Sequence, residues 1–172
     1  KENILENKNI SNFQISSNYL VYEHEEYVND KIIHYLSVVN RKTGNQQKIL
    51  TNNGEIVNED MVMPSISDNG EYLVYTSRAD NITGDVINKC IDISDGVLKN
   101  CNNIYLYDVV NRKSFLLKYE NEMYNGDHYV AKISGNGKVI VFESVSTNLI
   151  NDNYDCTKLN GFSSCINIYK TY

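Results

Sequence analysis

Pro64-Ser-Ile-Ser-Asp-Asn-Gly-Glu-Tyr-Leu-Val-Tyr-Thr-Ser77 is the stretch that decides the fold of this chain. Its second half is rich in Tyr, Leu and Val, residue types that favour strands with buried faces. Between the halves, Asp68-Asn69-Gly70 supplies a residue free to take φ > 0, so the chain can reverse within a few residues. The stretch therefore reads as a hairpin, and it recurs. Upstream, Phe13-Gln-Ile-Ser16 leads through a short turn into Tyr19-Leu-Val-Tyr22. Downstream, Ala131-Lys-Ile-Ser134 passes through Gly135-Asn136-Gly137 into Lys138-Val-Ile-Val-Phe142.

Each hairpin is followed by a third strand-like stretch, at 31–38, 103–108 and 166–169. The first two continue through polar turns, Asn40-Arg-Lys-Thr-Gly44 and Asn111-Arg-Lys113, into fourth strands at 47–50 and 114–118. The Ile-Ser marker falls at Ile15, Ile66 and Ile133, spacings of 51 and 67 residues. Four short strands in about 45–50 residues is the size of one propeller blade. An insertion around Cys90 to Cys101 accounts for the longer interval. The expected fold is all-β: one domain over 1–172 with three four-stranded antiparallel blades, at approximately 10–52, 61–119 and 128–172. A β-sandwich is the alternative, and the regular tandem order favours the partial propeller.

Closed propellers usually hold four to eight blades, so three leave a ring open. Completion is expected from a second copy, another segment or a longer chain. Glu2-Asn-Ile-Leu5 stands where an exchanged outer strand would begin. The chain opens on Lys1 with no apolar leader, as a processed export product or a fragment would.

Composition narrows the function classes. Apolar residues make up 41% and charged residues 22% of 172, which suits a globular domain rather than a disordered one. The formal charge is −6, with 16 basic residues scattered among 22 acidic ones, so no nucleic-acid partner is expected. The longest apolar runs, such as 139–142, fall far short of the roughly 18 residues that span a bilayer.

At the hairpin of 65–77 and at Asn103-Ile-Tyr-Leu-Tyr-Asp108 with its basic turn, the chain resembles the TolB-type β-propeller repeats. Ser77-Arg-Ala-Asp-Asn-Ile-Thr-Gly-Asp85 is similar to a surface-protein variant reading Ser-x-Ala-x-Asn-Leu-x-x-x-Asp, and 144–152 repeats it. Ser67 stands where the family carries the hairpin proline. The resemblance implies a propeller and, through relatives that carry such propellers, a peptidase whose catalytic domain lies outside this chain.

Four cysteines fall as Cys90/Cys101 and Cys156/Cys165, and each second one lies two residues before an Asn-Ile-Tyr or its equivalent. Four cysteines allow three pairings, and blade equivalence favours two local disulfides. Disulfides persist in oxidising compartments, so an extracellular, cell-surface or periplasmic location is expected. A zinc site is the rival reading, but closely spaced Cys-x-x-Cys knuckles are absent. Both Cys loops join the second and third strands of a blade, the face where propellers usually bind. They carry Asp80, Asp85, Asn88, Asp92 and Asp95 in one, and Asp152, Asn153 and Asp155 in the other. Such oxygen donors suit Ca²⁺, although no full EF-hand loop is present and Asp and Asn also serve turns.

No catalytic constellation stands out. His24, His34 and His128 lie in separate stretches, and no Gly-x-Ser-x-Gly or His-Glu-x-x-His occurs. Glu23-His24-Glu25-Glu26 reads as a solvated strand end. Tyr72, Tyr75, Tyr105 and Tyr107 read as blade packing with hydroxyls at the rim. Asn9-Ile-Ser11 and Asn81-Ile-Thr83 match the N-glycosylation sequon. The expected function is an exported, non-catalytic module with no cofactor other than a candidate Ca²⁺. It would bind a protein or glycan partner on the Cys-loop face, or pair with its own copies by strand exchange. A structural subunit of a surface assembly is the further alternative.

Overall fold

A computed structural model describes residues 9–91, 96–118, 123–146 and 148, together with the backbone of 165–170. The first blade contains β1 (Ile10–Ile15), β2 (Tyr19–Val28), β3 (Lys31–Asn40) and β4 (Gln46–Lys48), hydrogen-bonded in that order. The second begins with β5 (Met61–Ile66) and β6 (Tyr72–Ser77). A two-stranded ribbon, β7 (Lys89–Ile91) and β8 (Leu98–Asn100), then interrupts it before β9 (Asn103–Asp108) and β10 (Lys113–Leu116) complete the sheet. β11 (His128–Ile133), β12 (Val139–Ser144) and β13 (Cys165–Lys170) make the third sheet. All pairings are antiparallel. The described residues contain no helix. The fold is an all-β partial propeller, and its blades follow the strand order of the repeat.

One serine sets each inner hairpin. Ser16, Ser67 and Ser134 each donate a backbone N–H to the carbonyl of Tyr19, Tyr72 or Val139, and each hydroxyl accepts that partner's N–H, at 3.1, 3.1 and 2.9 Å. The hydroxyl takes up a donor that the tight turn would otherwise strand, which is why serine suits the place. A register shift recurs on each inner strand, at Ser11/Phe13, Val62/Ser65 and His128/Ala131. Two of these bulges hold non-glycine residues at positive φ, Asn12 at 39° and Met63 at 56°.

The core lies between blades. Leu73, Tyr75, Tyr105 and Tyr107 of the second blade join Val21, Leu36 and Val38 of the first in one cluster. Val74 and Ile104, on the opposite face, join Ala131, Ile140 and Phe142 of the third. Alternation with period two thus gives each face of the middle blade to a different neighbour. Each large buried side chain contributes roughly 1.5–3 kcal/mol through the area it removes from water.

Two expectations are corrected. Glu23-His24-Glu25-Glu26 is not a solvated strand end, because Glu23 and His24 are buried. Asn29 and Asp30, at φ 49° and 61°, make a two-residue turn that extends β2 and β3 to ten residues each, so the cluster sits mid-strand. There Glu23 accepts from Ser11 at 2.9 Å and Asn12 at 3.1 Å, and His24 Nε2 meets Ser37 Oγ at 2.9 Å. The second correction concerns the tyrosine hydroxyls. Those of Tyr75 and Tyr105 are interior, the first 2.8 Å from Ser114 Oγ and the second donating to the Ala79 carbonyl at 3.1 Å. Burial pushes both phenols well above their ordinary range. Their rings, directly opposite across β6 and β9, stack 5.4 Å apart.

Candidate binding face around the stapled ribbon

The segment after β6 is built from Ser77-Arg-Ala-Asp-Asn-Ile. Ser77 Oγ donates to the Asp60 carbonyl at 2.6 Å and accepts the Ala79 N–H at 3.1 Å. Ala79 and Ile82 turn fully inward. Asn81 then clamps the connection between the first two blades, accepting from the Asn58 N–H at 3.2 Å and donating to the Ile56 carbonyl at 2.9 Å. Asn148 makes the same pair of bonds in the next repeat, with the Asn125 N–H and the Met123 carbonyl. The motif is thus a clamp on the incoming connection, a role that Asn fills because one amide both donates and accepts. Asn81 accordingly has its amide engaged, against its use as a glycan acceptor.

The ribbon rises from this clamp. Cys90 and Cys101 form a disulfide with Cα atoms 4.8 Å apart, as the blade equivalence implied. The Asn88 carbonyl accepts the Cys101 N–H at 2.8 Å, and the Asn88 amide donates to the Tyr124 carbonyl at 2.8 Å. Arg78 donates to the Asn100 carbonyl at 2.5 Å and to Asp127 at 3.0 Å, and Asp127 also accepts the Asn102 N–H at 2.6 Å. Lys89 bonds the Asn100 side chain. The root is therefore tied to both interblade connections, as expected for a loop on that face. Above it, Ile91 and Leu98 stand directly opposite each other and are 67% and 64% exposed, with Val86 and Val97 exposed nearby.

The candidate calcium ligands are placed as follows. Asp80 accepts from Asn58 at 2.7 Å and from Asn100, and these bonds hold its carboxyl below the usual range. Asp85 is likewise lowered, first by Lys118 at 2.6 Å and then by Thr83 at 2.7 Å. Asn88 spends its amide on Tyr124. These side chains bond other partners rather than one another. Asp92, Asp95, Asp152, Asn153, Asp155 and Cys156 lie outside the described residues, as does any bond between Cys156 and Cys165 and the segment 2–5. Among the described residues, three metal-type ligands converge only at Cys90, Cys101 and Asp127, where both sulfurs are already spent in the disulfide. No described helix is long and apolar enough to cross a membrane.

Asp127 had no signal in the sequence, and His128, noted there only as one of three separate histidines, also lies at the ribbon's root. His128 is fully buried against Tyr124 at 4.5 Å and Phe142 at 5.4 Å, and neither ring nitrogen has a partner. Burial alone pushes its pKa down to about 4. Only its place at the mouth of a strand signalled it, because a lone histidine has no sequence signature of burial.

No family profile matches the chain, and no characterised protein matches it by sequence. Its shape is similar to part of the tricorn protease, with a TM-score of 0.56 and 18% identity over 94% of this chain and 14% of that one. An acylaminoacyl peptidase in complex with a chloromethyl ketone gives 0.55 and 12%, over 95% of this chain and 23% of the other. The β-propeller domain of a trilobed protease from Pyrococcus furiosus gives 0.49 and 13%, over 79% of this chain and 34% of that domain. The chain spans at most about a third of each. Identities this low speak to fold alone; the order and pairing of the strands make the chain a partial β-propeller.

Proposed function

We propose that this chain is an exported, non-catalytic propeller module of TolB-like repeats that binds a protein partner through the stapled ribbon. The exposed Ile91–Leu98 pair carries the reading. Apolar side chains held out on a disulfide-closed, well-anchored loop suit recognition, since loops on rigid scaffolds commonly carry binding and the ordering cost is met in advance. An apolar knob favours a protein over a glycan. Export is supported by the disulfide. Calcium has no part in this reading, because Asn58 and Lys118 already engage Asp80 and Asp85. A chelator should leave the melting temperature unchanged, and a drop would restore Ca²⁺ as a ligand.

A photo-crosslinker placed at Val97 should capture one dominant surface protein from the source cells, competed by excess unlabelled chain. The Ile91→Asp/Leu98→Asp variant should lose that capture at an unchanged melting temperature. Equal capture by the double variant would overturn the assignment. The second reading, the propeller portion of a larger peptidase, is supported by the proteases among the similar structures. A downstream Ser-His-Asp domain in the same open reading frame would decide for it.

A further inference from the structure

The ribbon offers backbone groups as well as apolar side chains. In an antiparallel pair, opposite residues alternate between exchanging backbone hydrogen bonds and turning those groups outward. Lys89 stands opposite Asn100, Cys90 opposite Lys99 and Ile91 opposite Leu98. The bond from the Cys101 N–H to the Asn88 carbonyl fixes the phase of the ladder. Cys90 and Lys99 are therefore the pair bonded across it. Lys89, Ile91, Leu98 and Asn100 turn their N–H and C=O groups away from the ribbon.

The two edges differ. Along β8, the Asn100 carbonyl accepts Arg78, and the Asn100 amide donates to the Arg78 carbonyl at 2.9 Å and to Asp80. The 78–80 segment thus covers that edge at its root. Along β7, the backbones of Lys89 and Ile91 have no partner beyond β8, and no other described strand pairs with them. A lysine commonly guards an open edge against pairing. Here the Lys89 ammonium is folded across the ribbon onto the Asn100 side chain opposite it, so the edge is left unguarded.

One free edge therefore runs beside the exposed Ile91–Leu98 pair, on a ribbon that the disulfide and its bonded root already hold in place. A partner that covers those side chains also takes water from the edge of β7. A helix lying there would leave the N–H and C=O groups of Ile91 unpaired, which is costly. An extended segment would pair them.

We propose that an extended, apolar segment of the partner protein adds to the ribbon as a third strand along β7. Its main chain bonds Lys89 and Ile91, and every second side chain lies on the face of Ile91 and Leu98. In such additions the main chain supplies affinity and the alternate side chains supply selectivity. This rests on the ribbon reading and names the form in which the partner is recognised.

A second photo-crosslinker at Val86 identifies the segment of the captured protein that lies along β7; capture alone decides nothing. A synthetic peptide copying that segment should bind the intact chain. N-methylation of one alternate set of its amides should weaken binding at least about tenfold, and of the other set hardly at all, because only every second amide of an added strand faces β7. Lys89→Pro removes an outward N–H without touching the bonds to β8 and should weaken the peptide by a similar factor. Lys89→Ala, which keeps that N–H, should not. Retained dichroism and an intact disulfide in Lys89→Pro confirm its fold. Equal effects of the two N-methylated sets, undiminished binding by Lys89→Pro, a segment that binds only within its folded parent, or capture of a second copy of this chain would each overturn the strand addition and leave the apolar pair as the contact. Absence of any captured protein, or equal peptide binding by Ile91→Asp/Leu98→Asp, would overturn the ribbon reading itself.

Discussion

His128 sits between Tyr124 and Phe142 with both ring nitrogens unpartnered, so protonation has nothing to compensate it. Its folded pKa, about 4, lies below the ordinary 6.5. Its contribution is therefore fully present above about pH 6.5 and is lost as pH falls towards 4, on the order of 3 kcal/mol in total. Asp80 and Asp85, whose pKa values are lowered, lose their contributions only below the ordinary carboxylate range, so they do not account for a loss between 6.5 and 4. Urea melts across that window should show a clearly larger loss in the wild type than in His128→Phe. A second residue-scale test compares glycines. Gly70→Ala combines φ 73° with a Cβ 2.1 Å from the Tyr19 ring, whereas Gly54→Ala, at φ 83°, meets nothing within 4 Å. Both are strained, by roughly 1 kcal/mol from the backbone alone. Only Gly70→Ala should cost clearly more in chemical denaturation. The glycine itself was legible as a turn former; the ring beneath it was not, because contact between blades has no local signal.

The stapled ribbon is the element with the sharpest energetic prediction. Its disulfide closes a loop with a sequence separation of 11, worth about 2–3 kcal/mol in the chain-entropy model. Cys90→Ser/Cys101→Ser should lower the unfolding free energy by about that amount while the blades remain folded. Within the second blade, Tyr75→Phe leaves Ser114 Oγ without its buried partner and should cost about 1–2 kcal/mol. Strand identity was readable from Tyr, Val and Ile at period two, and the pairing of Cys90 with Cys101 from its place in the repeat. The bulges at Asn12 and Met63 were not readable, since neither residue type announces a positive φ in the way glycine does. The reading of Glu23-His24 failed for a related reason. A charged cluster looks solvated unless the turn beyond it, here Asn29-Asp30, is recognised as carrying the strand onward.

For the whole molecule, three repeats of Ile-Ser and a turn were enough to place three blades in order, because each repeat is a unit that cannot bury its faces alone. The face around the stapled ribbon was less legible. The Asp- and Asn-rich loop suggested oxygen ligands for a cation, whereas Asn81 and Asn148 spend their amides clamping the connections between blades. Such polar residues read alike whether they bind a ligand or hold a loop, until their partners are known. What separates a propeller from a sandwich of the same strands is the junction of Tyr19 on Gly70 and of Tyr72 on Gly137. Nuclear Overhauser contacts between those ring protons and the glycine Hα protons measure it directly. Both contacts should appear, with the Gly70 Hα signals shifted upfield by the Tyr19 ring; absence of both from a fully assigned spectrum would contradict the propeller.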